Sequence, residues 1–412
     1  MPTTRANAEA RDAADPLAHH RAAFYLPDGL IYLDGNSLGP VPIAAVSRLG
    51  EVIAHEWGEQ LIRGWNGAGW IDLPRRIGDK IARLIGAQPG EVIVTDSTSV
   101  NLFKVLSASV NLNPGRPIIL SERDNFPTDL YIAQGLTHLL NDGHTLRLVD
   151  ADELPAAIDD DTAVVMLTQV NYRTGRLYSL DSLTQAAHAH GALMLWDLAH
   201  SAGALPVDLT PAQVDLAVGC GYKYLNGGPG APAYLYVATR HQPRFRQPLS
   251  GWLGHASPFA FEVEYRPAAG IDRALSGTPP ILSMSALEVG VDNLLAADLL
   301  ALHAKSLALT ELFIHLVDER CADLGLRLLT PRDPAQRGSQ VSLAHLEGYA
   351  VMQALIERGV IGDFRAPDIL RFGLAPLYNR YVEVWDAVDA LRDILTTRAW
   401  DRPQWQRRAA VT

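Results

Sequence analysis

Two residues at the ends of apolar runs are the first candidates for chemistry. Lys223 lies in "CGYKYLNGGPG" directly after the run DLAVG, and Asp197 ends the run ALMLWD, with His200 close behind. A lysine in such a place ordinarily lays its stem on apolar surface and its ammonium in water. An aspartate there ordinarily caps a helix or pairs with a cation. A desolvated lysine can instead form a Schiff base, and a carboxylate in a sheet crevice can bind a cationic ring nitrogen. Ser97 and Thr98, in "TDSTSVNLF", place hydroxyls between a predicted strand and helix, either as caps or as holders of a phosphate together with the helix amides. Phe126, in "DNFPTDLY", offers an aromatic face. A phosphate-binding helix start, then an acid on one strand end, then a lysine on the next is the order expected for pyridoxal 5'-phosphate (PLP). That cofactor needs a phosphate cradle, an acid beside its pyridine nitrogen and a lysine anchor, and an aromatic cover completes the set.

Bringing these residues together requires a sheet. Apolar, β-branched runs at 91–96, 117–122, 145–150, 163–169, 192–198, 215–221 and 232–237 alternate with helical spacing at 128–140 and 181–192. The alternation predicts an α/β fold with a seven-stranded, mostly parallel sheet, its ligands gathered at the carboxyl ends of the strands. After about residue 280 the rhythm stops, and 281–320 reads as one long or kinked helix leading to a smaller α+β domain. The expected division is an N-terminal segment, 1–45, packing on the small domain or a partner subunit, a large domain, 46–285, and a small domain, 286–412. His19 and His20 are expected in a mobile, solvated end, His188 and His190 on a surface helix, and the last residues in a loosely held tail.

Composition narrows the classes. A chain of 412 residues with 48% hydrophobic and 20% charged residues is an ordinary globular protein of more than one domain. A net charge of −11 argues against a nucleic-acid partner. Two cysteines, Cys220 and Cys321, allow neither a disulfide framework nor a Cys-rich metal site, and fit a reducing compartment. The N-terminus has no apolar signal region and no run suggests a membrane span, so a cytoplasmic protein is expected. No Walker A loop, dinucleotide fingerprint, H-E-x-x-H or G-x-S-x-G competes with the PLP reading.

The wording of the motifs is more specific. "YLDGNSLGP" (32–40), "NFPTDLY" (125–131), "WDLAHSAG" (196–203), "GYKYLNGGPG" (221–230), "GWLGH" (251–255) and "GTPPIL" (277–282) resemble the kynureninase family, PLP enzymes of the aspartate-aminotransferase fold (fold type I). The resemblance runs from about residue 30 to about residue 380. It implies hydrolysis of L-kynurenine to anthranilate and L-alanine in tryptophan degradation or NAD biosynthesis. Lys223 then corresponds to the lysine carrying PLP, Asp197 to the acid at the ring nitrogen, and Phe126 to the stacked ring. Ser97, Thr98 and Tyr222 correspond to phosphate-binding positions, Tyr222 also being the proton relay. Asp129, Thr168 and His200 line the site, and Arg371 corresponds to the arginine holding the substrate's α-carboxylate. Ser37 and Trp65 resemble residues at the pocket mouth. The family's sites lie at a homodimer interface, so Trp252 and Thr278 are expected to reach the partner's cofactor. Thr278 stands where animal enzymes carry asparagine, which implies a preference for L-kynurenine over 3-hydroxykynurenine. A cysteine desulfurase or aminotransferase of the same fold, or a non-catalytic regulator, would be the alternatives.

Overall fold

The computed structural model describes residues 3–406. A short strand, β1 (Ile31–Tyr32), precedes the large sheet of β2 (Val92–Val94), β3 (Ile118–Glu122), β4 (Thr145–Val149), β5 (Thr162–Thr168), β6 (Leu193–Asp197), β7 (Leu216–Gly219) and β8 (Tyr234–Val237). Their order is β2-β8-β7-β6-β5-β3-β4, with β8 antiparallel to both neighbours and the other pairings parallel. Each strand overlaps a predicted run. β5 is buried along its whole length, as a parallel strand covered on both faces must be.

Successive side chains of each strand point to opposite faces and feed two separate cores. Val164 and Met166 pack with Leu102, Val105 and Leu130 of helices Thr98–Leu112 and Pro127–Leu140. Val165 and Leu167 pack with Ile77, Leu183 and Leu287 of helices Leu73–Leu84, Leu180–Ala189 and Ile281–Leu295.

The run 281–320 resolves into two helices, Ile281–Leu295 and Leu299–Arg320. The break falls at Asp298, whose carboxylate accepts from Leu300 N (2.8 Å) and Ala301 N (3.1 Å) and so caps the second helix. By length and composition Leu299–Arg320 is apolar enough to cross a membrane, yet 56% of its apolar window is buried within the protein. It packs on a smaller sheet whose strands are β9 (Arg327–Leu328), β10 (Gln340–Ala344), β12 (Asp363–Arg365) and β13 (Ile369–Gly373), while β11 (Val360–Ile361) pairs with β1.

The N-terminal segment is held against this second unit. Helix Arg5–Ala13 lies on helix Tyr381–Thr397, buried Lys305 pairs with Asp15 at 2.7 Å, and Arg21 pairs with Glu383 at 2.8 Å. His19 and His20 therefore sit in an ordered 3-10 turn, Ala18–Ala23, not in the mobile end their position in the chain suggests. His188 is exposed on helix Leu180–Ala189, as expected, and its Nε2 reaches Asp215 Oδ2 at 2.8 Å, so it ties that helix to the start of β7. At the other end Trp405 is buried in the second core. The rest of the predicted loose tail, 407–412, lies outside the described residues.

Candidate active site

The loop after β7 is shaped by close backbone approaches. A Cβ on Gly221 would fall 2.3 Å from Pro232 O, so only glycine fits there. Asn226 takes a left-handed φ of 55°, and its amide N donates to Lys223 O at 3.0 Å. The N-terminal segment closes over this turn: Gly39 N donates to Tyr222 O at 2.8 Å, and a Cβ on Gly39 would lie 2.5 Å from Lys223 O. The turn delivers Lys223, 9% exposed, to the carboxyl edge of the sheet. Its Nζ lies 3.0 Å from His200 Nε2, 5.7 Å from the centre of the Phe126 ring and 5.8 Å from that of Tyr222.

Asp197 ends β6 and accepts from Ala199 N at 2.8 Å. Asp129, in the first turn of helix Pro127–Leu140, is buried, and its Oδ2 has no partner in the protein. Burial pushes both carboxyls up. For Asp129 the Asp197 charge adds to that push, and the Lys223 charge opposes it for both. His200 is driven well below its ordinary range by burial first and by Lys223 next, so its imidazole is neutral; its Nδ1 is also buried without a partner. Thr168 donates from Oγ1 to Asn125 Oδ1 at 2.8 Å, and Asn125 is held by Ser121 Oγ at 3.1 Å.

Ser97, Thr98, Tyr222 and Thr278 line one cavity of about 500 Å³. Ser97 Oγ accepts from Val100 N at 3.3 Å, so it does cap helix Thr98–Leu112, and the N-terminus of that helix opens on the cavity. Thr278 faces these hydroxyls within its own chain. The segment 276–280 returns to the carboxyl edge because Leu253 N and the Ser276 hydroxyl pin it, through Ser276 O and Leu249 O. The Trp252 ring meets Phe259 at 5.6 Å, and the Trp65 ring meets Trp70 at 6.0 Å. Neither tryptophan lines the cavity formed by Ser97, Thr98, Tyr222 and Thr278.

Arg371 enters from β13 and is 1% exposed. It donates to Tyr172 O (3.0 Å), to Ser37 Oγ (2.7 Å) and to Asp363 Oδ2. Sequence reasoning passes over Asn36, Asn125, Tyr172, Asp363 and Arg365. The signal for three of them is local: Asn125 precedes Phe126, and Asp363 and Arg365 share a strand with period-two spacing.

The residues present fit PLP. Two buried polar atoms without protein partners, Asp129 Oδ2 and His200 Nδ1, flank a lysine amine and an aromatic face. The nearby cavity is lined by hydroxyls suited to a phosphate.

Over 414 residues the chain is 59% identical to a protein named kynureninase from Burkholderia pseudomallei (strain 1106a), covering 99% of this chain and 100% of the relative. The chain belongs to the kynureninase family. A kynureninase from Pseudomonas fluorescens is 57% identical over 415 residues, 100% of both chains. The kynureninase C-terminal domain family matches residues 302–391. Among solved structures, an apo cysteine desulfurase from Thermococcus onnurineus NA1 superposes with a TM-score of 0.76 at 19% identity, over 92% of this kynureninase-family chain and 98% of its own. A C-DES variant with glycine covalently linked to its PLP cofactor gives 0.77 at 18% identity, over 90% and 99%. At such identities the likeness is one of fold alone.

Proposed function

We propose that this chain hydrolyses L-kynurenine to anthranilate and L-alanine with PLP held at Lys223, taking 3-hydroxykynurenine as the poorer substrate. The observation that carries this reading is the meeting of Lys223, His200, Phe126 and Asp197 at the carboxyl edge, in a chain with full-length kynureninase relatives. When bound, PLP supplies a carbonyl for the lysine and an electron sink for negative charge on the substrate carbons. Ser97, Thr98 and Tyr222 hold its phosphate, Phe126 covers its ring, and Asp197 faces the ring nitrogen. Asp129 and Thr168 line the site around the ring, and Trp252 and Thr278 reach the cofactor of the partner subunit.

Arg371 grips the α-carboxylate, with Ser37 and Trp65 at the pocket mouth. Lys223 Nζ takes the α-proton, and neutral His200 receives one of its N–H groups and keeps the amine aimed. Water adds to the γ-carbonyl and the Cβ–Cγ bond breaks. The carbonyl carbon leaves as the carboxylate of anthranilate, and Tyr222 relays the proton that turns Cβ into the methyl group of L-alanine.

A desulfurase reading fares poorly on the cysteines. Cys220 and Cys321 are both buried, and burial pushes both thiols up, Cys321 to about 11. The working form we infer is a cytoplasmic homodimer. Val46, Ile53, Trp57, Leu61 and Ile62 are exposed along one segment, as a subunit interface requires.

The test is a fluorescence assay of anthranilate release. Purified protein should be yellow and turn over L-kynurenine with a higher kcat/KM than 3-hydroxykynurenine. A protein that stays colourless with added PLP sinks the cofactor assignment, and the reverse substrate order sinks the preference.

A further inference from the structure

Both carboxylate-binding edges of Arg371 are already engaged before any substrate carboxylate reaches it. A guanidinium can grip a carboxylate along two edges, and both include Nη2. Here Nη2 donates to Ser37 Oγ (2.7 Å) and to Asp363 Oδ2, Nη1 donates to Tyr172 O (3.0 Å), and Nε faces the side-chain oxygen of Asn36 at 3.2 Å in the amide orientation that satisfies both ends of Asn36. A bidentate carboxylate therefore has to displace a ligand of Nη2. Ser37 is neutral, and its hydroxyl can turn toward the newcomer. Asp363 carries the same charge as the newcomer and cannot share the nitrogen with it.

The small sheet has a place for the displaced charge. Asp363 lies directly across from Arg371 in the β12–β13 ladder, and Arg365 follows two positions on, on the same face of β12. Arg365 Nη2 already lies 2.7 Å from Asp363 Oδ2, and its buried Nε has no partner. Half-buried Asp34 stands behind the cluster, where its backbone carbonyl accepts from Ser37 N at 2.9 Å.

We propose that Asp363 is an exchangeable counter-ion for Arg371, handed over to Arg365 when the substrate's α-carboxylate binds, so that Arg365 and Asp363 are positioning residues of the carboxylate subsite. The inference rests on the reading of Arg371 as the carboxylate clamp. It explains how a cation as buried as Arg371 is never left uncompensated between turnovers. It also makes binding selective, because a ligand without a carboxylate has nothing with which to displace Asp363. The return of Asp363 to Arg371 expels the amino-acid product.

Steady-state kinetics with L-kynurenine and inhibition by L-alanine test the exchange. Arg365→Gln should raise KM and the alanine inhibition constant by on the order of tenfold, with kcat changed far less, because Asp363 is then retained by Arg371. Arg365→Lys, which keeps the cation, should restore most of the affinity. Asp363→Asn should lower the alanine inhibition constant, and adding it to Arg365→Gln should cancel the loss. Additive effects in the double variant, or an unchanged KM in Arg365→Gln, overturn the exchange. Arg371→Gln separates the two readings. If it leaves KM unchanged, the clamp itself falls and the exchange with it; if it raises KM while the Arg365 and Asp363 variants do not, only the exchange falls.

Discussion

Lys223 and Asp197 meet because β6 and β7 are parallel neighbours, so residues just past their carboxyl ends emerge on one edge. Each would be an unpaired charge in an apolar setting if it stood alone. Together with Asp129 and neutral His200 they form a cluster in which one cation faces two carboxyls pushed up by burial. Removing the cation should be severe for chemistry. Lys223→Ala is expected to lower kcat by at least about 10³-fold and to abolish the absorbance of the lysine-linked cofactor, read by stopped assay and by spectrum. Full activity in that variant would reject Lys223 as the anchor. Thr168→Val leaves Asn125 Oδ1 without its hydroxyl donor at 2.8 Å and should cost about 1 kcal/mol, measured by denaturant titration.

At the scale of elements, one buried lysine sets a wall of the site. Fully buried Lys104, on helix Thr98–Leu112, donates to Asp96 Oδ2 at 2.5 Å and to Ala274 O at 2.7 Å. It joins the strand end that carries Ser97 to the segment that leads into Thr278. Lys104→Met should loosen that cavity, leaving Ala274 O without its donor. The expected outcome is weaker PLP retention on dialysis and a stability loss of about 1–3 kcal/mol. Asp298 makes the contrast, because it caps helix Leu299–Arg320 far from the chemistry. Asp298→Ala is expected to cost about 1 kcal/mol in thermal unfolding with kcat unchanged.

For the whole molecule, pH sensitivity centres on Asp215, buried where β7 begins. It accepts from Met194 N at 2.8 Å and is bonded by His188, His241 and Arg240. These partners outweigh burial and hold its carboxyl well below the ordinary range. A depressed folded value means that the unfolded chain takes up the proton first as pH falls. The stabilisation is thus complete above about pH 4 and is lost progressively below it. Asp215→Asn should lower the melting temperature at pH 7 and flatten its acid dependence. A mutant curve parallel to that of the wild type would refute the assignment. The exposed apolar segment 46–62 gives a second expectation at this scale: Ile62→Asp should convert a dimer to monomers in sedimentation velocity.

Much of this molecule follows from the sequence alone. Seven apolar runs specify seven strands, because a parallel strand covered on both faces must be apolar throughout its length, as β5 is. Lys223, Asp197 and the hydroxyls of Ser97 and Thr98 stand out because polar groups at the ends of such runs are anomalous. What the sequence leaves open depends on contacts between residues far apart in the chain. Asn36, Tyr172 and Arg371 meet across hundreds of positions, and nothing local in any of them signals the meeting. The break at Asp298 depends on a cap inside a continuous apolar pattern, and periodicity is blind to that. His19 and His20 read as a loose end because the ion pairs that fix them, Lys305 with Asp15 and Arg21 with Glu383, form only once the second unit has folded. Local chemistry announced the sheet and the lysine proposed as its cofactor anchor. The engagement of Arg371 by Asp363 was decided only by tertiary structure, since pairing two buried charges requires the fold that removes both from water.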